Sequence, residues 1–427
     1  MKYAVTTLGC KVNQFETQAM ETMLRARGHV PTDAGDADVV IVNTCAVTAE
    51  SGRKSRQAVR RMLADNPGAI AAVCGCFSQI EPDAAASLGA AVVFGSGDRA
   101  GFVEAVERAV NEQRTERSVD NALRRTAFEH LPAGALEGRT RAYLKIEDGC
   151  DNFCTYCVIP YARGRVRSMP LADIRAEAAR LQAEGFRELI VTGIEISSYG
   201  KDLRDGSCLA DAVCAASAAA PETRVRLGSL EPTVVTENFC DRLKRAGNVC
   251  RHFHLSLQSG CDRTLRAMHR KYDTARFLDA VGLLRAAFPG CALTADLIAG
   301  FPGETEADFR ETLALIRQVG FAEMHVFPYS PRPGTPAASM PGQMTHAEKN
   351  ARAALAQAAA QEMQAAYLDA QIGTKLPVLF ETAHGGVWQG HSDNYCEVCA
   401  RGEQLHGIMK NIQITGRDGL KLVGNIV

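Results

Sequence analysis

The stretch AYLKIEDGCDNFCTYC, residues 142–157, determines the fold expected for the centre of the chain. It begins as an apolar β-strand, Ala142–Ile146, and ends in a C-x3-C-x2-C pattern at Cys150, Cys154 and Cys157. A loop that follows the first strand of a (β/α) barrel is where such a barrel places its chemistry. Three thiolates this close can hold three irons of a [4Fe–4S] cube and leave the fourth iron open to a ligand.

Two other interpretations of this triplet remain open but are less favoured. A structural zinc site needs four protein ligands, and no matching second cysteine pair lies nearby. Positions i, i+4 and i+7 also share one face of a helix, which would make the cysteines ordinary buried packing. Gly149 and Pro160 disfavour a regular helix here, so a cluster-binding loop is the better prediction.

Strand and helix patterns alternate through residues 139–370 and predict a partial (β/α)6 barrel that is open on one side. The helix Ala347–Leu368 is expected to close this domain, with Thr345 as its N-cap. The six predicted strands are 142–146, 188–192, 224–230, 253–257, 293–298 and 324–328.

The rest of the chain divides into three further segments. Residues 1–115 alternate buried strands and amphipathic helices, which predicts a flavodoxin-like open parallel sheet. Residues 116–138 are polar without clear periodicity and are predicted to be a linker. Residues 371–427 show short alternating runs separated by Gly, Asn and Asp, which predicts a small all-β barrel.

Composition narrows the functional class only slightly. The 427 residues carry a formal net charge of −1, so any nucleic-acid contact must use a local basic surface. We detect no signal-peptide pattern and no apolar run of about 18 residues, and we expect a cytoplasmic protein without membrane contact. In that compartment the 15 cysteines stay reduced, so clustered ones indicate metal or catalysis.

Three further cysteines each follow a predicted strand of the N-terminal sheet. Cys10, Cys45 and Cys76 should converge, because the carboxyl ends of parallel strands meet at one edge. They form a candidate second iron site. Cys74 competes with Cys76 as a ligand, since it lies two residues earlier. Cys396 and Cys399 form a C-x2-C pair in the terminal barrel, but the sequence gives them no second pair.

The Cys150, Cys154 and Cys157 triplet resembles the signature of radical S-adenosylmethionine (SAM) enzymes. With the three N-terminal cysteines and the terminal barrel, nearly the whole chain resembles the methylthiotransferase family. The segments GCKVNQ, residues 9–14, and CVIPYARGRVRS, residues 157–168, are most similar to the branch that acts on N6-threonylcarbamoyladenosine in tRNA.

This resemblance implies two [4Fe–4S] clusters, with ligands Cys150, Cys154 and Cys157 in one and Cys10, Cys45 and Cys76 in the other. It implies two SAM molecules per turnover: one donates a methyl group to sulfur at the N-terminal cluster, and the other is cleaved to a 5′-deoxyadenosyl radical. The radical would act at C2 of adenosine 37. The expected partners are tRNA and an electron donor such as flavodoxin or ferredoxin, and we expect a monomer.

The candidate SAM and cluster contacts lie on the loops after the barrel strands. Those near SAM or the cluster are Phe153, Tyr156, Gly193, Ser229, Glu231, Gln258, Asp296 and Gly300. Candidate RNA contacts are basic or aromatic side chains, and the terminal barrel resembles a TRAM RNA-binding domain. These candidates are Arg163, Arg165, Arg167, Arg53, Arg56, Arg60, Asn394 and Tyr395. For the arginines of residues 53–60, a solvated helix face is an equally good interpretation.

Three alternatives for the function follow from the same residues. The same chemistry would suit isopentenyladenosine in tRNA, or an aspartate of a small-subunit ribosomal protein. A different class is a non-catalytic iron–sulfur protein that binds RNA through its barrel and basic helix.

Overall fold

The N-terminal part forms a six-stranded parallel sheet with helices on both faces. The computed structural model describes residues 1–33, 35–132 and 139–427. The sheet order β2-β1-β3-β4-β5-β6 contains the flavodoxin-like order that the sequence predicts. Its strands are β1 (Lys2–Thr7), β2 (Val30–Pro31), β3 (Val39–Thr44), β4 (Ile70–Gly75), β5 (Ala90–Phe94) and β6 (Glu116–Ser118). Its helices are α1 (Lys11–Ala26), α2 (Ala49–Asp65), α3 (Cys76–Ile80), α4 (Pro82–Ala86) and α5 (Arg99–Glu112).

The segment predicted to be a linker is partly structured. Glu116–Ser118 adds the edge strand β6 to the sheet, in parallel register with β5. Arg125 then binds back to Asp120 and, at 2.8 Å, to Gln79. A three-residue charged edge strand is too short to show a period, which is why the sequence pattern misses it. Residues 133–138 of the predicted linker lie outside the described residues.

The central part is an open barrel of parallel strands, as predicted. Two sheets form it, in the orders β11-β10-β7 and β12-β13-β14-β15. A short antiparallel pair, β8 (Glu147–Asp148) with β9 (Arg167–Ser168), closes the base of the cysteine loop. The barrel strands are β7 (Arg141–Lys145), β10 (Glu188–Thr192), β11 (Arg224–Leu227), β12 (Ser229–Leu230), β13 (His252–Gln258), β14 (Ala292–Ala299) and β15 (Glu323–Pro328).

Helices cover the outside of this barrel. The N-cap prediction for the last helix is confirmed, since the Thr345 side chain accepts a hydrogen bond from the Glu348 N–H at 3.2 Å. The helices are α6 (Ile159–Arg163), α7 (Leu171–Ala183), α8 (Leu209–Ala219), α9 (Glu237–Ala246), α10 (Asp262–Ala267), α11 (Thr274–Ala287), α12 (Glu306–Val319) and α13 (His346–Asp369).

The third predicted strand, residues 224–230, is split in two by Gly228. The Gly228 N–H donates to the Val191 carbonyl at 2.8 Å, and an added Cβ would lie 3.0 Å from that oxygen. The chain therefore pairs first with β10 and then, as β12, with β13. This break joins the two sheets and gives the barrel its curvature.

The C-terminal part is a closed five-stranded barrel in the order β16-β17-β18-β20-β19. Cys396 packs in its apolar core, whereas Cys399 is half-buried, so the pair does not share one environment. The strands are β16 (Lys375–His384), β17 (Val387–Ser392), β18 (Glu397–Arg401), β19 (Met409–Asp418) and β20 (Lys421–Ile426).

A buried charge group attaches this barrel to the central domain. Glu188 is fully buried and pairs with Arg224 and Arg226, and the same guanidinium groups donate to barrel carbonyls, including that of Ser392 at 3.0 Å. Burial favours the neutral form of Glu188, but Arg226 and Arg224 overcome this and hold its pKa well below the usual range.

We expect Arg226→Met to lower the free energy of unfolding by about 3 kcal/mol, because it removes one partner of a buried ion group. Urea unfolding and limited proteolysis of the barrel measure this effect. Arg187→Met is the matched control, because the Arg187 side chain is 44% exposed and its nearest carboxylate is 3.8 Å away. Equal stability of the two variants would contradict the role assigned to Arg226.

Candidate active site

The cysteine triplet lies on an irregular loop between β8 and α6, so the alternative of a buried helical face is wrong. Backbone amides point at two of its sulfurs. The Asn152 N–H donates to Cys150 Sγ at 3.5 Å, and the Ile159 N–H donates to Cys157 Sγ at 3.4 Å. Such N–H···S contacts accompany iron–sulfur ligation and tune cluster potential.

Gly149 makes this loop conformation possible. Its φ is +92°, and an added Cβ would lie 1.9 Å from the Arg165 carbonyl oxygen. A side chain at this position would therefore separate the two ends of the loop. The close approach keeps the Cys150 N–H hydrogen-bonded to the Gly164 carbonyl at 3.0 Å.

The three N-terminal cysteines meet at one edge of the sheet. Cys10 is the N-cap of α1, Cys45 follows β3, and Cys76 begins α3. A Cβ added to Gly9 would lie 2.9 Å from Cys45 Sγ. Burial raises the pKa of the Cys76 thiol to about 12, and the nearby sulfurs of Cys10 and Cys45 also raise it. The three thiols therefore lie near one another.

Cys74 lies in a different environment from Cys76. It packs in the apolar core beneath α5, with Phe94 and Phe102, and is fully buried. Gly75, at φ +105°, ends the strand between the two cysteines and redirects the chain. The two residues are thus not on the same side of one extended strand.

The whole triplet and Cys10, one of the three N-terminal cysteines, border one cavity of about 840 Å³. Cys10 lines one wall, and Cys150, Cys154 and Cys157 line another. Burial raises the pKa of Cys157 to about 12, and Cys76 is among the nearby groups that raise it further. Five of the predicted SAM or cluster contacts line this cavity: Tyr156, Gly193, Ser229, Glu231 and Asp296.

Three predicted contacts lie elsewhere. Phe153 packs edge-on against Tyr161 at 5.8 Å, outside the cavity lining. Gln258 ends β13 with a φ of +61° and is likewise outside the lining. Gly300 does allow a close approach, but the neighbour is Lys349 of α13, whose Cγ would be 2.6 Å from an added Cβ. This packing accounts for the glycine, and the ligand contact at Gly300 stays a prediction.

Sequence reasoning missed Arg270, which links the cavity wall to the cysteine loop. Its guanidinium pairs with Glu231, and Nη1 lies 3.1 Å from Cys154 Sγ and 3.5 Å from Tyr156 Oη. No motif marks this residue, because these three partners are 39 or more positions away in the chain.

Two carboxyl groups beside the second barrel strand have raised pKa values. Burial raises the pKa of Glu195 to about 7, and Glu231 raises it further. Burial also raises the pKa of Glu147 well above its usual value, although the Glu195 N–H donates to Glu147 Oε2 at 2.8 Å. Glu195 lines the cavity beside Gly193, so it offers a carboxyl group that titrates near neutrality.

The predictions for Arg163 and Arg167 as RNA contacts are wrong, because both side chains are buried. Arg163 donates from Nε to Cys76 Sγ at 3.1 Å and from Nη2 to Asn13 Oδ1 at 2.6 Å. Arg167 donates to the Arg163 carbonyl at 3.0 Å. Arg165, between them, is 55% exposed and lies over the Phe153 ring at 4.9 Å.

Arg163 belongs to a buried ion group that joins the two domains. Its main partner is Glu16 of α1, which also pairs with Arg99 at 2.8 Å and with Lys145 of β7 at 3.4 Å. All four side chains have zero exposure. Burial favours neutral Glu16, but Arg163, Arg99 and Lys145 together hold its pKa well below the usual range.

The prediction for Asn394 is also wrong, whereas Tyr395 reaches the cavity. Asn394 is buried and donates to Tyr367 Oη of α13 and to Gln371 Oε1 just after that helix, both at 3.0 Å, which ties the barrel to that helix. Tyr395 stacks between His252 and His391, at 4.9 and 5.0 Å. The terminal barrel thus supplies one aromatic ring to the cavity.

The predicted arginines of α2 lie on or near its surface. Arg53 is 54% exposed and pairs with Glu50, Arg56 lies 3.9 Å from Glu81, and Arg60 is exposed. These positions are compatible with an RNA contact and equally with a solvated helix face. The RNA contact therefore stays a prediction.

Family comparisons support the class that the two cysteine sets indicate. Residues 144–316 match the Radical SAM superfamily, and residues 2–95 match "Uncharacterized protein family UPF0004". A solved structure with a similar fold is the radical SAM methyltransferase TsrM from Kitasatospora setae, with a TM-score of 0.55 and 17% identity over 79% of this chain and 77% of that one. The fold and the site define a radical SAM enzyme.

Curated relatives give the family within that class. A threonylcarbamoyladenosine tRNA methylthiotransferase of Bacillus subtilis is 36% identical over 96% of this chain and 93% of its own. A tRNA-2-methylthio-N(6)-dimethylallyladenosine synthase of Frankia alni is 38% identical over 82% of this chain and 72% of its own. The chain belongs to the radical SAM methylthiotransferase family, and its cofactors are two [4Fe–4S] clusters and SAM.

We expect Cys76→Ala to lower the iron content of anaerobically reconstituted protein from about eight to about four per chain, because one cube loses a ligand. Cys74→Ala is the matched control and should keep about eight, since that thiol packs with Phe94 and Phe102 in a different apolar cluster from Cys76. Iron and sulfide analysis measures both. The reverse pattern would make Cys74 the ligand.

We expect Arg163→Met to lower the free energy of unfolding by about 3 kcal/mol, because it leaves Glu16 with one fewer cation in a buried group. Arg165→Met, two residues away and exposed, should leave stability within about 0.5 kcal/mol. Urea unfolding compares them. A stable Arg163→Met protein with weakened tRNA binding would restore the RNA-contact interpretation.

Proposed function

We propose that this protein inserts a methylthio group at C2 of N6-threonylcarbamoyladenosine at position 37 of tRNA. The observation that carries the proposal is a cavity bordered by Cys10 and by the whole cysteine triplet, in a chain that matches a threonylcarbamoyladenosine tRNA methylthiotransferase over nearly its full length. A base placed in that cavity would have one sulfur-ligated site on either side.

Cys150, Cys154 and Cys157 are the proposed ligands of one cluster, and Cys10, Cys45 and Cys76 are those of the other. These residues fit the group: each set provides three sulfurs, and backbone amides donate to Cys150 and Cys157. When bound, the first cluster supplies the electron that cleaves SAM, and the second supplies an open iron where sulfur is held.

The chain's own side chains position the substrates. Glu195 lines the cavity, and its carboxylate would accept a hydrogen bond from the amino group of SAM; burial raises its pKa to about 7, which leaves it partly ionised at neutral pH. The Glu231 and Arg270 pair fixes a guanidinium beside Cys154. Tyr156 and Tyr395 line the same space and offer faces for stacking of bases.

Approach of tRNA would involve the barrel and the exposed basic residues. Tyr395 comes from the barrel, and Arg165 lies over Phe153 beside Tyr161, which is 44% exposed. Exposed aromatic and cationic groups suit unstacked bases of an anticodon loop.

We further propose that the protein acts as a monomer in the cytoplasm and receives electrons from a flavodoxin or ferredoxin. In the described residues, no helix has the length and apolarity needed to cross a membrane.

The test is mass spectrometry of tRNA nucleosides from a host that lacks its own methylthiotransferases. Expression of the wild-type chain should convert N6-threonylcarbamoyladenosine to its 2-methylthio derivative, and Cys154→Ala should not. Conversion of isopentenyladenosine instead would assign the other tRNA branch. An unchanged nucleoside profile would overturn the tRNA proposal.

A second assay separates the enzyme from a non-catalytic RNA-binding protein. Reconstituted wild-type protein with dithionite and SAM should form 5′-deoxyadenosine, whereas Cys154→Ala should form none above background. Absence of that product from the wild-type protein would contradict radical chemistry at the triplet.

A further inference from the structure

Lys11 extends into the cavity from the N-terminal domain. It is the first residue of α1 and directly follows Cys10, so its Cα lies about 3.8 Å from that of a proposed cluster ligand. Its side chain is exposed and lines the cavity, whose further lining includes Asp296, His325 and Tyr395.

Three other basic groups that line the cavity have carboxylate partners, and a fourth, His252, bonds to Thr294 and has its pKa lowered by burial. Arg270 is paired with Glu231. His254 and His325 lie 3.3 and 3.1 Å from the Asp296 carboxylate.

Two arginines next to Tyr395 also have carboxylate partners. Arg226 lies over the Tyr395 ring at 4.7 Å and pairs with Glu188 at 2.7 Å, and Arg141 pairs with Glu381 at 2.8 Å. Lys11 differs from all of these groups. Within residues 1–33, 35–132 and 139–427, no carboxylate lies within 4.0 Å of its ammonium group.

An unpaired ammonium group in a cavity favours an anionic ligand there. The threonylcarbamoyl substituent carries one carboxylate, whereas an isopentenyl substituent carries no charge. The substituent is attached at C6, separated from the reacting C2 only by N1 of the same ring. A carboxylate on that substituent therefore enters the cavity whenever C2 lies between the two cysteine sets.

We propose that Lys11 binds the threonyl carboxylate of the substrate and thereby selects this nucleoside over uncharged N6-modified adenosines. The inference rests on the proposed function and deepens it. Arg163 and Arg167, which the sequence offered as RNA contacts, are not available for this role, because both are committed to buried partners.

The test compares two anticodon stem-loop RNAs, one with N6-threonylcarbamoyladenosine at position 37 and one with its threonyl carboxamide. Wild-type protein should use the carboxylate RNA with a kcat/KM about ten- to a hundredfold higher, as expected for one charge-assisted hydrogen bond. Equal use of both RNAs would overturn the proposal without any variant.

Lys11→Met should lose this preference. We expect its kcat/KM on the carboxylate RNA to fall about ten- to a hundredfold, mainly through KM, with little change on the carboxamide RNA. Lys11→Arg should keep the preference, since it retains the charge. Lys244→Met, an exposed lysine of α9, is the control and should match wild type.

In a rival role, Lys11 would neutralise the negative charge of the N-terminal cluster. Iron content and 5′-deoxyadenosine formation, both measured without RNA, detect that role. In that role Lys11→Met would lose activity equally on both RNAs, which would overturn the proposal. If the wild-type protein methylthiolates neither RNA, the proposed function itself fails, and that result is distinct from a loss of preference.

Discussion

The buried ion pair between Glu16 and Arg163 fixes the geometry on which the site depends. Charges with zero exposure are tolerated only when partners compensate their lost hydration, and here Arg99, Lys145 and the second carboxylate, Asp148, supply those partners. Glu16 lies on α1, the helix that begins directly after Cys10. Lys145 is the last residue of β7, shortly before Cys150. The same charges that hold the two domains together therefore also set the separation of the two cysteine sets.

Each part of the chain contributes one wall of the resulting cavity. The N-terminal sheet brings Cys10 and Lys11, the central barrel brings the triplet and the groups around SAM, and the terminal barrel brings Tyr395. Glu188 and its two arginines anchor that last wall. The proposed reaction needs a sulfur source on one side of a base and a radical source on the other. Rigid attachment of the three walls favours this reaction, because a small misplacement of reacting groups lowers the rate strongly.

Sequence reasoning was strongest where the signal is local. Strand periodicity located the parallel sheets, and the positions of Cys10, Cys45 and Cys76 after strands placed them at one edge. Sequence reasoning failed for residues whose role depends on whether the side chain is buried. Arg163, Arg165 and Arg167 look equivalent in the chain, yet two are buried and one is exposed. The partners of Arg270 and Glu16 are distant in sequence, so no spacing reveals them.

The central claim is that two clusters face each other across one cavity, and electron paramagnetic resonance of the doubly reduced protein tests it most directly. Cys10→Ala and Cys154→Ala each provide the spectrum of one remaining cluster. The account predicts that the wild-type spectrum is broadened by spin–spin interaction and differs from the sum of the two single-cluster spectra. A wild-type spectrum equal to that sum would place the clusters too far apart and contradict the account.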